Sequence, residues 1–208
     1  MDPFQVLPYT PDDFFRSLGA PLLDLVEVAA HSRAQYLRRY LEFVKAQTLV
    51  VENDYTDGDY LDDFASYYVK CFRSYNRRCK RLHFFGQKFA EGEFRQLVQG
   101  ELPPSEEEAL KTSYLGFVVA RPLPEAIIGR TLLATYPPDG SRRNYPCTRV
   151  YRANLFGVEL SVMSLPFQEQ DSVLAACATV ALWSAFHKTA ELFGTTTPTP
   201  VEILRYCQ

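Results

Sequence analysis

Apolar residues change their spacing once along this chain, near its middle. Up to Thr112 they recur mostly at steps of three and four, the spacing that lines one face of an α-helix. Leu22, Leu23, Leu25, Val26 and Val28 give one apolar stretch, and Tyr36, Leu37, Tyr40, Leu41 and Val44 continue it as an amphipathic stripe. A longer stripe runs through Tyr60, Phe64, Tyr67, Cys71, Tyr75, Cys79 and Leu82. Asp57, Asp59, Asp62 and Asp63 crowd its start, and Arg77, Arg78, Lys80 and Arg81 crowd its end. That is the charge order a helix macrodipole favours, so one long helix is predicted here. A shorter helix is predicted over Glu91–Val98. Pro103-Pro104 then breaks the chain, and Ser105 with Glu108 has the spacing of a capping box for one more helical turn. Residues 1–20 read as irregular, and 52–59 as a polar, acidic break.

After Thr112 the pattern is that of strands. Tyr114–Ala120 is a near-continuous apolar run rich in β-formers, which suits a strand buried on both faces. Ile128–Tyr136 and Thr148–Phe156 also read as strands. Val158–Phe167 starts by alternating, and Gly157 is placed to turn the chain between the last two. The Pro-rich 137–146 stretch reads as a surface loop. A final long helix is predicted between a cap at Asp171 or Ser172 and a stop at Gly194. It is apolar almost all round as far as Phe186 and rich in alanine, so it is expected to be buried among close-packed neighbours. Pro200–Leu204 looks like the first turn of another helix, and the chain reads as the front part of a longer protein.

The predicted architecture is α+β: a helical N-terminal half, a small antiparallel sheet, then a buried central helix. Residues 1–104 are expected to form a helical accessory region and 105–208 an α+β region. Composition narrows the class. Of 208 residues 47% are apolar and 14% aromatic, which excludes a disordered chain. A net charge of −3, from 22 Lys+Arg against 25 Asp+Glu, argues against a general polyanion binder. No apolar run is long enough to span a membrane. The first residues show no basic segment followed by an apolar one, so no secretory signal is read. The five cysteines are odd in number and form no CxxC pair, which points to reduced thiols in a cytosol.

Cys177 falls near the start of the last helix, where unpaired N–H groups favour a thiolate. A thiolate beside a base is a nucleophile, and an upstream amide from Gln168 or Gln170 is placed to donate to an oxyanion. The alternative reading is a small, packed core cysteine. The stretch Pro166-Phe167-Gln168-Glu169-Gln170-Asp171, then Cys177-Ala178, then Ala181-Leu182-Trp183, resembles the nucleophile region of papain-like cysteine peptidases. It is most similar to the bacterial branch related to bacteriocin-leader peptidases. Thr197-Pro198-Thr199-Pro200-Val201-Glu202-Ile203-Leu204 resembles the next loop and helix of that branch. The resemblance covers residues 166–204 and implies a partial papain-like core, with Cys177 as nucleophile and Gln170 as oxyanion donor. It also implies a His and then an Asn or Asp later in the chain. The only later histidine, His187, stands ten residues along the same helix, roughly 15 Å away at 1.5 Å per residue. His31 and His83 lie upstream, outside the family's order. The chain alone is therefore expected to be inactive.

The segment 71–85 is a second candidate. Arg73, Arg77, Arg78, Lys80 and Arg81, with Tyr75, Phe84 and Phe85, have the makings of a nucleic-acid patch. A basic helix end with its aromatics turned to the core is the preferred reading, given the overall charge. The acidic 52–63 loop fails as a calcium loop, because Tyr55 and Phe64 stand where carboxylates are needed. Cys79 and His83 lack a second pair for zinc. Arg121 and Arg130 have the chemistry to clamp a carboxylate or phosphate, but pairing with Glu125 or another acid at a sheet end is the preferred reading. No P-loop or dinucleotide fingerprint occurs, so no cofactor is expected. The expected function is a cysteine peptidase or peptidase-like protein acting on a peptide or protein substrate, in the cytoplasm and with no membrane partner. The alternative is a non-catalytic module that binds a protein or nucleic acid.

Overall fold

The structure is a computed structural model that describes residues 2–19, 21–137, 139–140, 143–170 and 177–206, without the Cys177 side chain. It is an α+β fold built on a five-stranded antiparallel sheet. The chain enters through β1 (Phe4–Pro8), α1 (Pro11–Gly19), α2 (Leu25–Ala30) and α3 (Ser32–Phe43). It continues through β2 (Thr48–Tyr55), α4 (Gly58–Ser66), a 3-10 turn at Tyr68–Lys70 and β3 (Cys79–Phe85). Two helices, α5 (Glu91–Gln99) and α6 (Pro104–Thr112), lead to β4 (Tyr114–Ala120) and β5 (Ile128–Leu133). The hairpin β6 (Arg149–Leu155) and β7 (Val158–Ser164) follows, then α7 (Cys177–Phe193) and α8 (Pro200–Tyr206).

Spatial order in the main sheet is β1-β2-β3-β4-β5, the same as chain order. Successive side chains point to opposite faces of a strand, and here each face has its own core. Leu49, Val51, Leu82, Phe84, Val118 and Ala120 pack with Phe14, Leu18, Leu37 and Leu41 of the α1–α3 layer. Val50, Cys79, Phe117 and Val119 face the other way, toward Tyr60, Phe94 and the β6–β7 residues Tyr151, Leu155 and Leu160. Residues 1–104 and 105–208 share this sheet, because β3 pairs with β4 along Lys80↔Ala120 to Phe85↔Tyr114.

The predicted helix over 60–82 is corrected. Asp57 caps α4 by accepting from the Tyr60 N–H, but the helix ends at Ser66 and the basic stretch enters a central strand. Lys80, Arg81 and His83 hide that strand from a pattern reading, since they are polar residues in a position buried on both sides. The first half thus contributes three strands as well as helices, including β1 within the stretch expected to be irregular. Ser105 does not cap α6. The helix begins one residue earlier at Pro104, which suits the first turn because that N–H has no helical partner in any case. The strands from β4 onward fall where expected, and Phe156-Gly157, both at positive φ, turn the hairpin.

The expectation that the last helix is buried all round is also corrected. Thr179, Trp183, His187 and Ala190 are buried along one face of α7, while Ala178, Ala181, Leu182, Ala185 and Leu192 are exposed. The helix lies on the β6–β7 hairpin and α8, which cover one side only. Gly194, at φ 64°, ends it as predicted.

Candidate functional site

The segment leading toward Cys177 is built as a short extra strand. After β7, Phe167 and Thr131 exchange backbone hydrogen bonds of 2.7 and 3.0 Å, and the Glu169 N–H donates to the Ile128 carbonyl at 2.9 Å. Edge pairing of this kind satisfies backbone groups that β5 would otherwise leave open.

Glu169 locks the segment. Its side chain is fully buried, and a buried carboxylate must be paired and hydrogen-bonded. One oxygen accepts from the Arg33 guanidinium at 2.8 Å and from His31 Nε2–H at 3.1 Å. The other accepts from the Ile128 N–H at 3.1 Å. The Glu169 carbonyl accepts from Arg121 Nη2 at 3.0 Å. Gln168 is buried beside it, and Gln170, the predicted oxyanion donor, follows at the surface. Cys177 belongs to α7, whose described part begins there; its side chain lies outside the described residues, as does the predicted cap at Asp171 or Ser172.

The three histidines occupy three different environments. His83 is wholly buried in β3, with Nδ1 2.9 Å from the Tyr114 hydroxyl and Nε2 3.4 Å from Glu52. Burial pushes its pKa down to about 4, against the pull of the Glu52 hydrogen bond. His187 is packed edge-on to Trp183, with Nδ1 3.2 Å from Arg149 Nη2. Burial, then the charges of Arg149 and Arg130, push its pKa down to about 3. His31 caps α3, Nδ1 accepting from the Ala34 N–H at 3.4 Å, and its Nε2–H is spent on Glu169. Both of its ring nitrogens therefore have partners.

Arg121 and Arg130 pair differently from one another. Arg130 meets Asp59 at 2.7 Å and Asp57 at 3.6 Å, an ionic pairing of the kind expected. Arg121 is buried and gives its hydrogen bonds to two backbone carbonyls, those of Ala126 and Glu169. The acidic loop does more than cap a helix in solvent, because Asp57, Asp59 and Asp63 are all buried. Within the basic segment, Phe84 and Phe85 are core residues and cannot stack on a base. Arg81 is also taken from the patch: it pairs with Glu52 at 2.7 Å and lies over the Tyr55 ring at 4.2 Å. Arg73, Arg77 and Arg78 remain exposed.

Glu169 was missed as a key residue in the sequence reading. Its partner Arg33 is 136 positions away, and no local spacing links the two. A lone carboxylate between two glutamines in an apolar setting was the available signal. Compared with known proteins, the chain matches no family model, no curated protein and no solved structure.

Proposed function

We propose that this chain carries the nucleophile region of a papain-like cysteine peptidase, or of a peptidase-like protein, with Cys177 as nucleophile and Gln170 as oxyanion donor. The observation that carries the reading is that Cys177 lies in helix α7, seven positions after Gln170, which ends the anchored segment at the surface. With the cap expected at Asp171 or Ser172, Cys177 falls in the early turns of that helix, where the helix dipole favours a thiolate. The anchored run Phe167–Glu169, ending on Gln170 at the surface, supports a fixed position for the proposed oxyanion donor. In this reading the Cys177 thiolate bonds to the carbonyl carbon of a peptide or isopeptide. The C–N bond then breaks, the amine leaves with a proton, and the thioester is hydrolysed by water. None of the three histidines is placed to supply or take that proton: His83 is sealed in the sheet, His31 has both nitrogens occupied, and His187 lies roughly 15 Å along α7. The chain by itself is therefore a nucleophile without a base.

Thiol alkylation tests this. Cys177 is expected to react with iodoacetamide faster than the exposed Cys71 and Cys147 at mildly acidic pH. Cys79, whose thiol pKa is pushed up by burial, is the internal standard that stays silent until unfolding. A Cys177 rate no higher than that of Cys71 overturns the assignment. Cleavage of a broad peptide library by the pure chain overturns the lack of a base.

The second reading, a protein-binding module, is favoured by a groove of about 470 Å³ between α3 and the β5 end, lined by Tyr36, Tyr40, Tyr136, Tyr145 and Phe167. Tyrosine pairs an apolar ring with a polar tip and is common at protein interfaces.

A further inference from the structure

Eight cations in the described part of this protein have a carboxylate within ion-pair distance. They are Arg16, Arg33, Arg38, Arg81, Arg95, Lys111, Arg130 and Lys188. The loop between the 3-10 turn and β3, with the start of β3, gathers four that do not. Among the described residues no carboxylate lies within ion-pair distance of Arg73, Arg77, Arg78 or Lys80. Arg78 bonds to the Thr56 hydroxyl, and Arg73 lies 5.5 Å over the Tyr75 ring.

These unpaired cations are not spread over open surface. Arg73, Arg78 and Lys80 line one cavity of about 260 Å³, together with Asn53, Asn76 and Tyr75. Its other walls come from Leu18, Gly19, Pro21 and Leu22 between α1 and α2 and from the end of β4 at Ala120–Pro122. Arg121 also lines it, although that guanidinium is spent on carbonyls, and Asp54 contributes the one carboxylate. Arg78 is shared with a second, adjoining cavity lined by Thr56, Leu61 and Arg77. Phe72 stands fully exposed on the same loop. Lys80 is the informative member. It sits in a central strand opposite Ala120, half-buried, and burial alone depresses its pKa. A cation that loses water without gaining an anion is a cost to the folded state, and a bound anion would offset it.

We infer that this cavity is a binding site for a phosphate-bearing ligand, its phosphoryl oxygens seated among Arg73, Arg78 and Lys80, with Asn53 and Asn76 as neutral donors. Guanidinium forks and an ammonium point charge are the groups that recognise phosphate. The size suits a mononucleotide or a sugar phosphate, and the continuation past Arg78 gives room for a second phosphate. The site lies apart from Cys177 and does not depend on the peptidase reading.

Calorimetric titration of the full chain at low salt, with inorganic phosphate, adenosine monophosphate and a short oligothymidylate as probes, tests the inference. At least one probe is expected to bind. The double variant R73Q/K80M is expected to weaken it by about tenfold or more, since charge-assisted hydrogen bonds are lost. R39Q/R152Q removes the same charge from exposed positions elsewhere and is expected to leave binding within about twofold. Binding of the mononucleotide assigns a small ligand; binding of the oligonucleotide alone assigns the phosphate to a polynucleotide backbone. Protection of Lys80 from acetylation by the same probe gives a readout on the unaltered chain. Binding by none of the three probes overturns the inference, as does equal weakening in both double variants.

Discussion

The carboxylate of Glu169 sits 2.8 Å from the guanidinium of Arg33, a residue 136 positions earlier in the chain. This pair, with His31, ties the start of α3 to the strand segment that leads toward α7. Removing one partner of a buried pair leaves an uncompensated charge and costs about 3–5 kcal/mol. Here Glu169→Ala strands Arg33 only partly, as that side chain is half-exposed, but it also orphans the Ile128 N–H and loosens the cap at His31. The expected loss is about 3 kcal/mol in urea unfolding. Glu169→Gln keeps an acceptor for two of the donors and is expected to lose about half as much. Equal losses in the two variants would mean that the charge of Glu169 is not what the site uses.

His83 makes stability depend on pH. Its pKa is held near 4 in the folded protein, chiefly by burial, whereas an unfolded histidine titrates near 6.5. Between those values the unfolded chain binds a proton that the folded chain does not. Stability is therefore full above about pH 6.5 and falls as pH drops toward 4, by about 1.4 kcal/mol per unit for each such histidine. His187, at about 3, acts in the same sense. Urea midpoints at pH 7 and pH 5 are expected to differ accordingly, and His83→Gln is expected to remove about half of the slope. A slope unchanged in His83→Gln would locate the pH dependence elsewhere.

What pattern alone revealed follows from what kind of residue carried the signal. The strands from β4 to β7 are built from apolar runs or clean alternation, and a period of two is visible without knowing any partner. β3 was invisible for the opposite reason. Its Arg81 and His83 are tolerated in a central strand because Glu52, Tyr114 and the ring of Tyr55 answer them from other strands. Those partners are 26 to 31 positions away, beyond any local window. α7 was legible in extent but not in burial, because alanine reads as apolar whether or not something covers it. Cys177 and Gln170 came from a resemblance in order and spacing. The Glu169 anchor beside them needed the fold.

Gly116 in β4 is required by the sheet. Its φ is 109°, and an added Cβ would lie 1.9 Å from the Leu132 carbonyl oxygen of the neighbouring strand. Backbone atoms of a central sheet cannot move aside as a flexible side chain can. Gly116→Ala is expected to cost about 4 kcal/mol or more, or to prevent folding. The neighbouring test is Gly92→Ala on α5, where an added methyl meets nothing within 4 Å. That change is expected to be neutral or to stabilise by up to about 1 kcal/mol, because alanine favours a helix.

The two sides of α7 give the sharpest test of how this helix is seated. Trp183 is 1% exposed and packs against His187, whereas Leu182, its immediate neighbour, is 41% exposed. A helix buried all round would penalise both substitutions. With one face seated on the β6–β7 hairpin, Trp183→Ala is expected to cost about 3–5 kcal/mol through lost burial and the cavity left behind. Leu182→Ser is expected to cost under about 1 kcal/mol. Thermal melts of the two variants read the difference directly. A large loss in Leu182→Ser would show that this face is covered in solution, by a second copy of the chain if the loss grows on dilution.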